Sequence, residues 1–268
     1  MPEGDTIWRT AQAMRSRLVS SVLVDAVPVQ LERLRGARLV GAEPVGKHLV
    51  LRFSSGLALH SHLGMRGSWH LYPRGRAWRR PEAAARCVLD FGGWVAVLYS
   101  APAPELIGET SDRLAHLGPD ILSQDFDLEA VLRRAARAEV RTVGEMLLDQ
   151  RVCAGIGNVY KCETLWALRV NPWQDPGEVD AATLRRLYLT AREFMLGNLH
   201  GFIGRRFSHG AGRGRAVKAA VHARSGRPCP RCGTLVRVTP QGEQARPTYF
   251  CPSCQGPGPR AARARSAG

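Results

Sequence analysis

The stretch CPRCGTLVRVTPQGEQARPTYFCPSCQ, residues 229–255, contains two pairs of cysteines with two residues between the members of each pair. A C-x-x-C turn brings two thiolates to one ion, and two such turns complete a tetrahedral Zn²⁺ site. We therefore predict one structural Zn²⁺ bound by Cys229, Cys232, Cys251 and Cys254, because four protein ligands leave no position open for chemistry. Unrelated buried cysteines or a redox pair are the alternatives, and both fit this spacing poorly.

The sequence between the two cysteine pairs predicts a β-hairpin with the ion at its base. Residues 234–238 and 248–250 are rich in β-branched and aromatic side chains, which favour strands. The loop between them, residues 240–248, carries Arg246. A guanidinium there can bind a phosphate through two parallel donors, and a solvated surface arginine is the simpler alternative.

The charge of the chain points to a polyanionic partner. The 268 residues have a formal net charge of +15 and a pI near 10.5. An arginine-rich composition explains part of this charge, but no Asp or Glu occurs between Glu193 and Glu243. A long stretch that carries positive charge and no negative charge is typical of a surface that binds nucleic acid. We therefore assign Arg206, which lies in it, to DNA contact. Lysine is scarce, which makes Lys161 a further candidate. A membrane surface is the weaker alternative, because no amphipathic helix accompanies the stretch.

The sequence also indicates a cytoplasmic protein. No apolar run is long enough to cross a bilayer. Residues 1–9 include Glu3 and Asp5 and lead into no apolar stretch, so they do not resemble a secretory signal. We therefore expect no contact with a membrane.

A change of hydrophobic period near residue 120 predicts two domains. Before it, a helix at residues 7–18 precedes short β-rich runs separated by turn residues. These runs are residues 22–27, 48–53, 57–62, 67–71, 87–91 and 94–99. They are typical of an antiparallel sandwich or barrel. After residue 120, the period predicts helices at residues 128–138, 143–150, 158–168 and 181–199.

We expect five segments along the chain. They are a catalytic β-sandwich domain at 1–119, a linker at 120–127, a helical DNA-binding domain at 128–216, a zinc-finger hairpin at 217–255 and a disordered basic tail at 256–268.

A glycine-containing turn joins two of the predicted helices. Residues 146–151 end one helix, and residues 153–158 lead into the next. Asn158 then stands at a helix N-terminus, where free amides and the positive end of the helix dipole favour a phosphate. The pattern fits a helix–turn–helix that binds the DNA backbone, and an ordinary helical hairpin fits equally well.

Five motifs occur in a fixed order. They are Met1-Pro2-Glu3-Gly4, Gly46-Lys47-His48, His62-Leu63-Gly64-Met65, Leu147-Leu148-Asp149-Gln150 with Ala154-Gly155-Ile156-Gly157-Asn158, and the cysteine hairpin ending in Gln255. In this order they resemble the formamidopyrimidine-DNA glycosylase and endonuclease VIII family over residues 1 to about 255. The resemblance implies an α+β fold: an N-terminal β-sandwich with flanking helices, then a helix–two-turn–helix domain with a C-terminal four-cysteine zinc-finger hairpin, and DNA between the two domains.

The resemblance also implies a chemistry. Once Met1 is removed, Pro2 is a free secondary amine that attacks C1′ of a damaged nucleotide. Glu3 protonates the sugar oxygen, and Lys47 matches the catalytic lysine of the family. Arg246 and Asn158 match its phosphate clamp. Met65 matches the wedge that replaces a flipped base, although a methionine in a β-rich segment is often a core residue.

The opening Pro2-Glu3-Gly4-Asp5-Thr6 resembles the actinobacterial members of the endonuclease VIII branch, which favours oxidised pyrimidines as substrates. Leu63-Gly64-Met65 resembles the wedge of the other branch, so oxidised purines are the alternative. The expected protein is a bacterial glycosylase and AP lyase that cuts by β,δ-elimination. It acts as a monomer, at the nucleoid, on damaged double-stranded or bubble DNA. A zinc protein that only binds DNA or senses damage, or an RNA-binding factor, would not explain Pro2, Glu3 and Lys47 together.

Overall fold

The computed structural model describes residues 2–108, 110–199 and 219–259. The chain divides into two compact units, Met1–Phe126 and Asp127–Gly268. Among the described residues, no helix is both long and apolar enough to cross a membrane. Arg206 and residues 260–268 of the expected tail lie outside the described residues.

Helix α1, Gly4–Leu18, begins the first unit. The residues that recur at helical spacing are Ile7, Ala11, Met14 and Leu18. All four are buried in the core of this unit, because their spacing places them on one face of the helix. The helix starts directly after Glu3, which is its N-cap residue.

Eight antiparallel strands follow in the described part of this unit. They are β1 (Asp25–Val27), β2 (Leu39–Val45), β3 (His48–Phe53), β4 (Leu57–His62), β5 (Ser68–Pro73), β6 (Ala85–Asp90), β7 (Trp94–Tyr99) and β8 (Glu105–Gly108). They form two sheets, in the orders β1-β6-β7-β5 and β2-β3-β4-β8. Leu51 and Leu59 of one sheet share a single buried cluster with Leu89 and Leu98 of the other. The predicted β-sandwich is therefore confirmed.

Strands β3, β4 and β7 have the bounds that the sequence predicted, whereas β2 and β8 were not predicted. Gly41 and Pro44 lower the strand propensity of β2, which is nevertheless held by pairing with β3. Strand β8 has only four residues and follows the proline-rich residues 102–104, so no alternating pattern marks it.

The second unit contains the four predicted helices: α2 (Leu128–Ala135), α3 (Val143–Leu148), α4 (Asn158–Ala167) and α5 (Ala181–Leu199). Helix α5 has the predicted bounds, and the other three end slightly earlier. Thr142 caps α3, because its Oγ1 accepts from Glu145 N and donates to the Glu145 carboxylate at 2.7 Å.

The zinc-finger hairpin consists of β9 (Arg237–Gln241) and β10 (Arg246–Phe250), followed by the short helix α6 (Pro252–Gln255). The first strand lies about three residues later than predicted, and Arg246 is the first residue of β10 rather than a loop residue. Pro240 pairs with Pro247 in this hairpin. A two-stranded ribbon tolerates this pairing because both strands are edges.

Candidate active site and zinc centre

The start of the chain is fixed by α1. The Glu3 carbonyl accepts from Thr6 N at 2.9 Å and from Ile7 N at 3.2 Å, which closes the first turn of the helix. Glu3 is 1% exposed, and Pro2 just before it is half-buried. Pro2 therefore directly precedes the N-cap residue of α1, which carries a buried carboxyl group.

Lys47 lies in the tight turn between β2 and β3. Gly46 in this turn has a φ of +58°, which favours glycine. Its backbone N donates to Asp120 Oδ2 at 2.7 Å, and Leu122 N donates to Asp120 Oδ1 at 2.8 Å. The Asp120 carboxylate therefore fixes the turn that presents Lys47. Asp120 was predicted only as part of a linker, because nothing in the sequence pairs it with Gly46.

Three histidines lie beside this turn, on β3 and β4. His48 Nδ1 is 2.8 Å from His60 Nε2, and the rings of His48 and His62 are 4.9 Å apart. Burial and the neighbouring His62 and His60 lower the pKa of His48 to about 3, so His48 is neutral at physiological pH. The three rings line a cavity of about 480 Å³, together with Glu105 and Arg113.

Met65 is presented at the tip of a narrow turn. Gly67 N closes the turn by donating to Leu63 O at 2.8 Å, and His62 Nδ1 accepts from Gly64 N at 3.1 Å. A Cβ on Gly67 would overlap Leu63 O and Ala101, so only glycine fits there. Met65 is 63% exposed, which excludes the core interpretation of this residue.

In the second unit, Asn158 is the first residue of α4, after the N-cap Gly157. Its side chain is buried and donates from Nδ2 to Pro247 O at 2.8 Å. The turn before α4 is held by Gln150, which donates to Ile156 O and accepts from Gly155 N, both at 3.0 Å. Asn158 therefore joins α4 to the zinc-finger hairpin.

Lys161 is completely buried on α4. Its ammonium donates to Thr248 Oγ1 at 2.5 Å and lies 3.4 Å from Gln241 Oε1, both on the hairpin. This position differs from the surface contact with DNA that we expected, because a buried ammonium with protein partners cannot reach a phosphate in this conformation. Lys161 instead positions the hairpin on α4.

Gln241 is the residue that the partners in the contact between α4 and the hairpin share. Its Nε2 donates to Thr142 Oγ1 at 2.9 Å and to Pro172 O at 2.7 Å. Its Oε1 accepts from Thr248 Oγ1 at 2.8 Å as well as from Lys161. The amide thus uses its full donor and acceptor capacity in one buried place.

Arg246 is half-buried at the start of β10, beside this contact. Its Nε and Nη2 donate to Gln244 Oε1 at 3.0 and 2.8 Å. Gln244 is exposed in the hairpin turn, so a stronger acceptor such as a phosphate could replace it.

Glu163 of α4 was not identified from the sequence. It is 2% exposed, and its carboxylate accepts from the backbone N atoms of Ala220, Val221 and His222 at 2.8–3.0 Å. Burial raises its pKa, although the three amides oppose the shift. The carboxylate fixes the chain where it approaches the zinc-finger hairpin, and no spacing in the sequence signals such a contact.

The four cysteines of the hairpin have the geometry of a zinc site. Their Sγ atoms all lie within 4.8 Å of one another, with Cys232 to Cys251 at 3.4 Å and Cys229 to Cys254 at 4.0 Å. Tetrahedral Zn²⁺ with bonds of ~2.3 Å needs thiolates about 3.8 Å apart. Trp166 Nε1 also donates to Cys229 Sγ at 3.3 Å, a contact typical of the surroundings of a metal ligand. The donor set therefore fits one structural Zn²⁺.

Models of known protein families match both units of the chain. The family model described as the formamidopyrimidine-DNA glycosylase N-terminal domain matches residues 1–101, and the one described as the formamidopyrimidine-DNA glycosylase H2TH domain matches residues 117–204. The chain is 40% identical to a protein of Streptomyces coelicolor named probable endonuclease 8 2, over 97% of this chain and 96% of that relative. It belongs to the formamidopyrimidine-DNA glycosylase and endonuclease 8 family.

Two further relatives are similar over nearly the full length. A protein of Mycolicibacterium smegmatis named DNA-(apurinic or apyrimidinic site) lyase is 34% identical, over 95% of this chain and 99% of the relative. The crystal structure of the MutM (Fpg) protein of Thermus thermophilus superposes with a TM-score of 0.79 at 27% identity, covering 96% of this chain and 100% of that one. The α+β fold predicted from the family resemblance is confirmed.

A single substitution tests whether the four cysteines bind zinc. We expect Cys232→Ser to lower the bound zinc from one ion per chain and to weaken DNA binding, because β9 and β10 lose the ion that holds their base. Zinc is measured by mass spectrometry, and DNA affinity by fluorescence anisotropy. Ser253→Ala, in the exposed middle of the second cysteine pair, is the matched control and should change neither quantity. Wild-type protein without zinc would contradict the four-cysteine site.

Proposed function

We propose that the chain is a bifunctional DNA glycosylase and AP lyase of base-excision repair. The observation that carries this proposal is the place of Pro2, directly before the buried Glu3 that forms the N-cap of α1. Relatives named endonuclease 8 and DNA-(apurinic or apyrimidinic site) lyase support the same chemistry. Once Met1 is removed, Pro2 presents a secondary amine here, and a protein that only binds DNA has no use for such a group.

The reaction begins when the Pro2 nitrogen attacks C1′ and the bond from C1′ to the damaged base breaks, and the base leaves with the proton that the amine loses. Glu3 donates a proton to the sugar oxygen as the ring opens, which leaves an iminium between Pro2 and C1′. The iminium makes the C2′ proton acidic. Loss of that proton expels the 3′ phosphate, and a second elimination expels the 5′ phosphate. Water then hydrolyses the iminium and leaves a one-nucleotide gap.

Four further residues are assigned to DNA. Lys47, presented by the turn that Asp120 fixes, contacts a phosphate or the lesion. Arg246 binds a phosphate in place of Gln244. The exposed Met65 fills the space of the flipped base. Asn158 acts through the N-terminus of α4, because its own Nδ2 is engaged by Pro247 O. Arg206 stays a prediction from the sequence.

We assign the substrate as oxidised pyrimidine in damaged duplex or bubble DNA, cut by a cytoplasmic monomer at the bacterial nucleoid. The similarity to proteins named endonuclease 8 favours this choice. Oxidised purines are the second candidate, because the turn Leu63-Gly64-Met65 resembles that of the other branch and the chain is 30% identical to a formamidopyrimidine-DNA glycosylase of Thermus thermophilus.

An incision panel tests the activity and the lesion class together. End-labelled duplexes carry thymine glycol, dihydrouracil, 8-oxoguanine or an abasic site, with undamaged duplex as the control. We expect cutting of abasic DNA with a phosphate at both new ends, and faster incision at the two pyrimidine lesions than at 8-oxoguanine. Faster incision at 8-oxoguanine would favour the purine alternative. If no substrate is cut, the proposed glycosylase and lyase activity is wrong.

A further inference from the structure

The connection between β5 and β6 carries a concentration of positive charge that the proposed mechanism does not use. Residues 74–86 contain a single acid, Glu82, and five arginines. We call these five residues the basic platform: Arg74, Arg76, Arg79, Arg80 and Arg86.

Aromatic packing orders this connection. The ring of Trp78 lies 6.1 Å from that of Tyr72, nearly parallel to it, and 6.3 Å edge-on from that of Tyr99. Tyr72 and Tyr99 are buried on the face of the β5–β7 sheet that is turned away from the main core. The arginines therefore project from a backbone that is packed onto the sheet rather than from a loose loop.

A chain of hydrogen bonds strengthens the attachment. Arg80 Nη1 donates to Ser68 Oγ at 3.0 Å, and Ser68 Oγ lies 3.0 Å from His70 Nε2. His70 Nδ1 lies 3.2 Å from the Tyr72 hydroxyl, which in turn accepts from Arg79 N at 3.2 Å. Burial, then Arg80 and Arg79, lower the pKa of His70, so the ring is neutral at pH 7 and bridges its two hydroxyl neighbours.

Four guanidinium groups of the platform form no ion pair among the described residues. Arg76, Arg79 and Arg86 are exposed, Arg80 is half-buried, and none of the four lies within 4.0 Å of a carboxylate there. Arg74, by contrast, pairs with Asp90 at 3.3 Å. Like charges that are held together on a rigid support repel one another, unless a polyanion binds to them.

The platform begins next to the turn that presents Met65. Ser68, the partner of Arg80, directly follows Gly67, which closes that turn. Arg86 lies at this end too, because it forms a bulge opposite Tyr99, the partner of Ser68. Arg76 follows Pro73 at the other end of β5. The six residues of β5 span roughly 17 Å, about the length of five base pairs.

We propose that the basic platform binds the phosphates of duplex DNA over about five base pairs to one side of the lesion, which rests on the proposed function of the Met65 turn. Arg86 contacts the duplex close to the turn, and Arg76 contacts it at the far end. A rigid row of arginines suits the fixed phosphate spacing of a duplex better than a flexible single strand or an acidic peptide.

Single substitutions on two duplex lengths test this arrangement. The duplexes carry a central abasic analogue and have about 7 or about 25 base pairs, and anisotropy gives the dependence of log K on log salt. We expect Arg76→Gln to reduce the slope by about one unit on the long duplex only, and Arg86→Gln to reduce it on both. Arg33→Gln removes an exposed charge elsewhere in the same unit and is the matched control. An equal effect of Arg76→Gln and Arg33→Gln would overturn the proposal.

Trp78→Leu tests whether DNA binding needs the arginines to be held in an ordered arrangement or needs only their charge. The substitution removes the aromatic packing of the connection and keeps every arginine. We expect it to reduce the slope on the long duplex by at least one unit while the thermal midpoint of the protein stays within a few degrees. An unchanged slope would overturn the ordered platform. Losses confined to single-stranded DNA, or to an acidic probe peptide such as a labelled hexaglutamate, would assign the platform to that partner instead. Wild-type incision of the short duplex tests the proposed function independently of these slopes.

Discussion

An extension placed before Pro2 abolishes the covalent DNA adduct that borohydride traps, if Pro2 is the nucleophile. Tagged protein, or Pro2→Gly with Met1 retained, has an amide at position 2, and an amide nitrogen has no basic lone pair with which to attack C1′. Excision should fall by at least about 10³-fold, the scale of a lost nucleophile. The measurement is the yield of the adduct on denaturing gels, together with single-turnover excision of the base.

The first turn of α1 forms without the amine that this experiment blocks. Helix α1 is closed through the Glu3 carbonyl, with Thr6 and Ile7 as donors, and does not depend on the amine of Pro2. Blocking the amine should therefore leave the fold and the affinity for DNA intact. The same tag at the C-terminus is the control and should preserve the adduct. A blocked protein that still forms the cross-link would show that another amine, such as Lys47, is the nucleophile.

Glu3→Gln should separate chemistry from binding. Glutamine has the shape of glutamate and can keep the extended N-cap conformation, but it cannot donate the proton that opens the sugar ring. We expect base removal to fall by roughly 10²-fold or more, while DNA affinity changes only a few-fold. Single-turnover excision and anisotropy measure the two quantities on the same lesion duplex.

Asp5→Asn is the matched control for Glu3. Asp5 is a second buried carboxylate of α1, and it pairs with Arg9 at 3.1 Å. Its neutralisation removes a neighbouring negative charge without touching position 3, so excision should be retained. If Glu3→Gln instead reduced affinity and excision by the same factor, Glu3 would hold the fold of the N-terminus rather than transfer a proton.

Local patterns were sufficient to predict most of the architecture. The spacing of the cysteines predicted a cluster whose Sγ atoms do converge, and the helical period predicted α5 with its observed bounds. Strands β2 and β8 were missed because pairing with β3 and β4, rather than their own residues, keeps them extended. Strand propensity describes an isolated segment, whereas these two segments are extended because a neighbouring strand pairs with them.

The sequence named candidate residues for the site, but it did not reveal the contacts that hold them. The motifs named Lys47 and Asn158, and the scarcity of lysine named Lys161, yet neither signal revealed that Asp120 fixes the turn of Lys47. They also did not reveal that Lys161 is buried against Thr248. Such contacts join residues far apart in the chain and follow from tertiary packing, which no local pattern records.

The saturated amide of Gln241 has a consequence for how the second unit comes apart. One side chain joins α3, α4 and the hairpin. If any of these elements opens, buried polar groups on the other two lose their hydrogen-bond partners. Amide hydrogens of Val159–Leu165 in α4 should therefore exchange with deuterium at the same rate as those of β10, as a single cooperative block. Disruption of the cluster formed by Cys229, Cys232, Cys251 and Cys254 should then also affect the start of α4 at Asn158, which is more than 70 residues away along the chain.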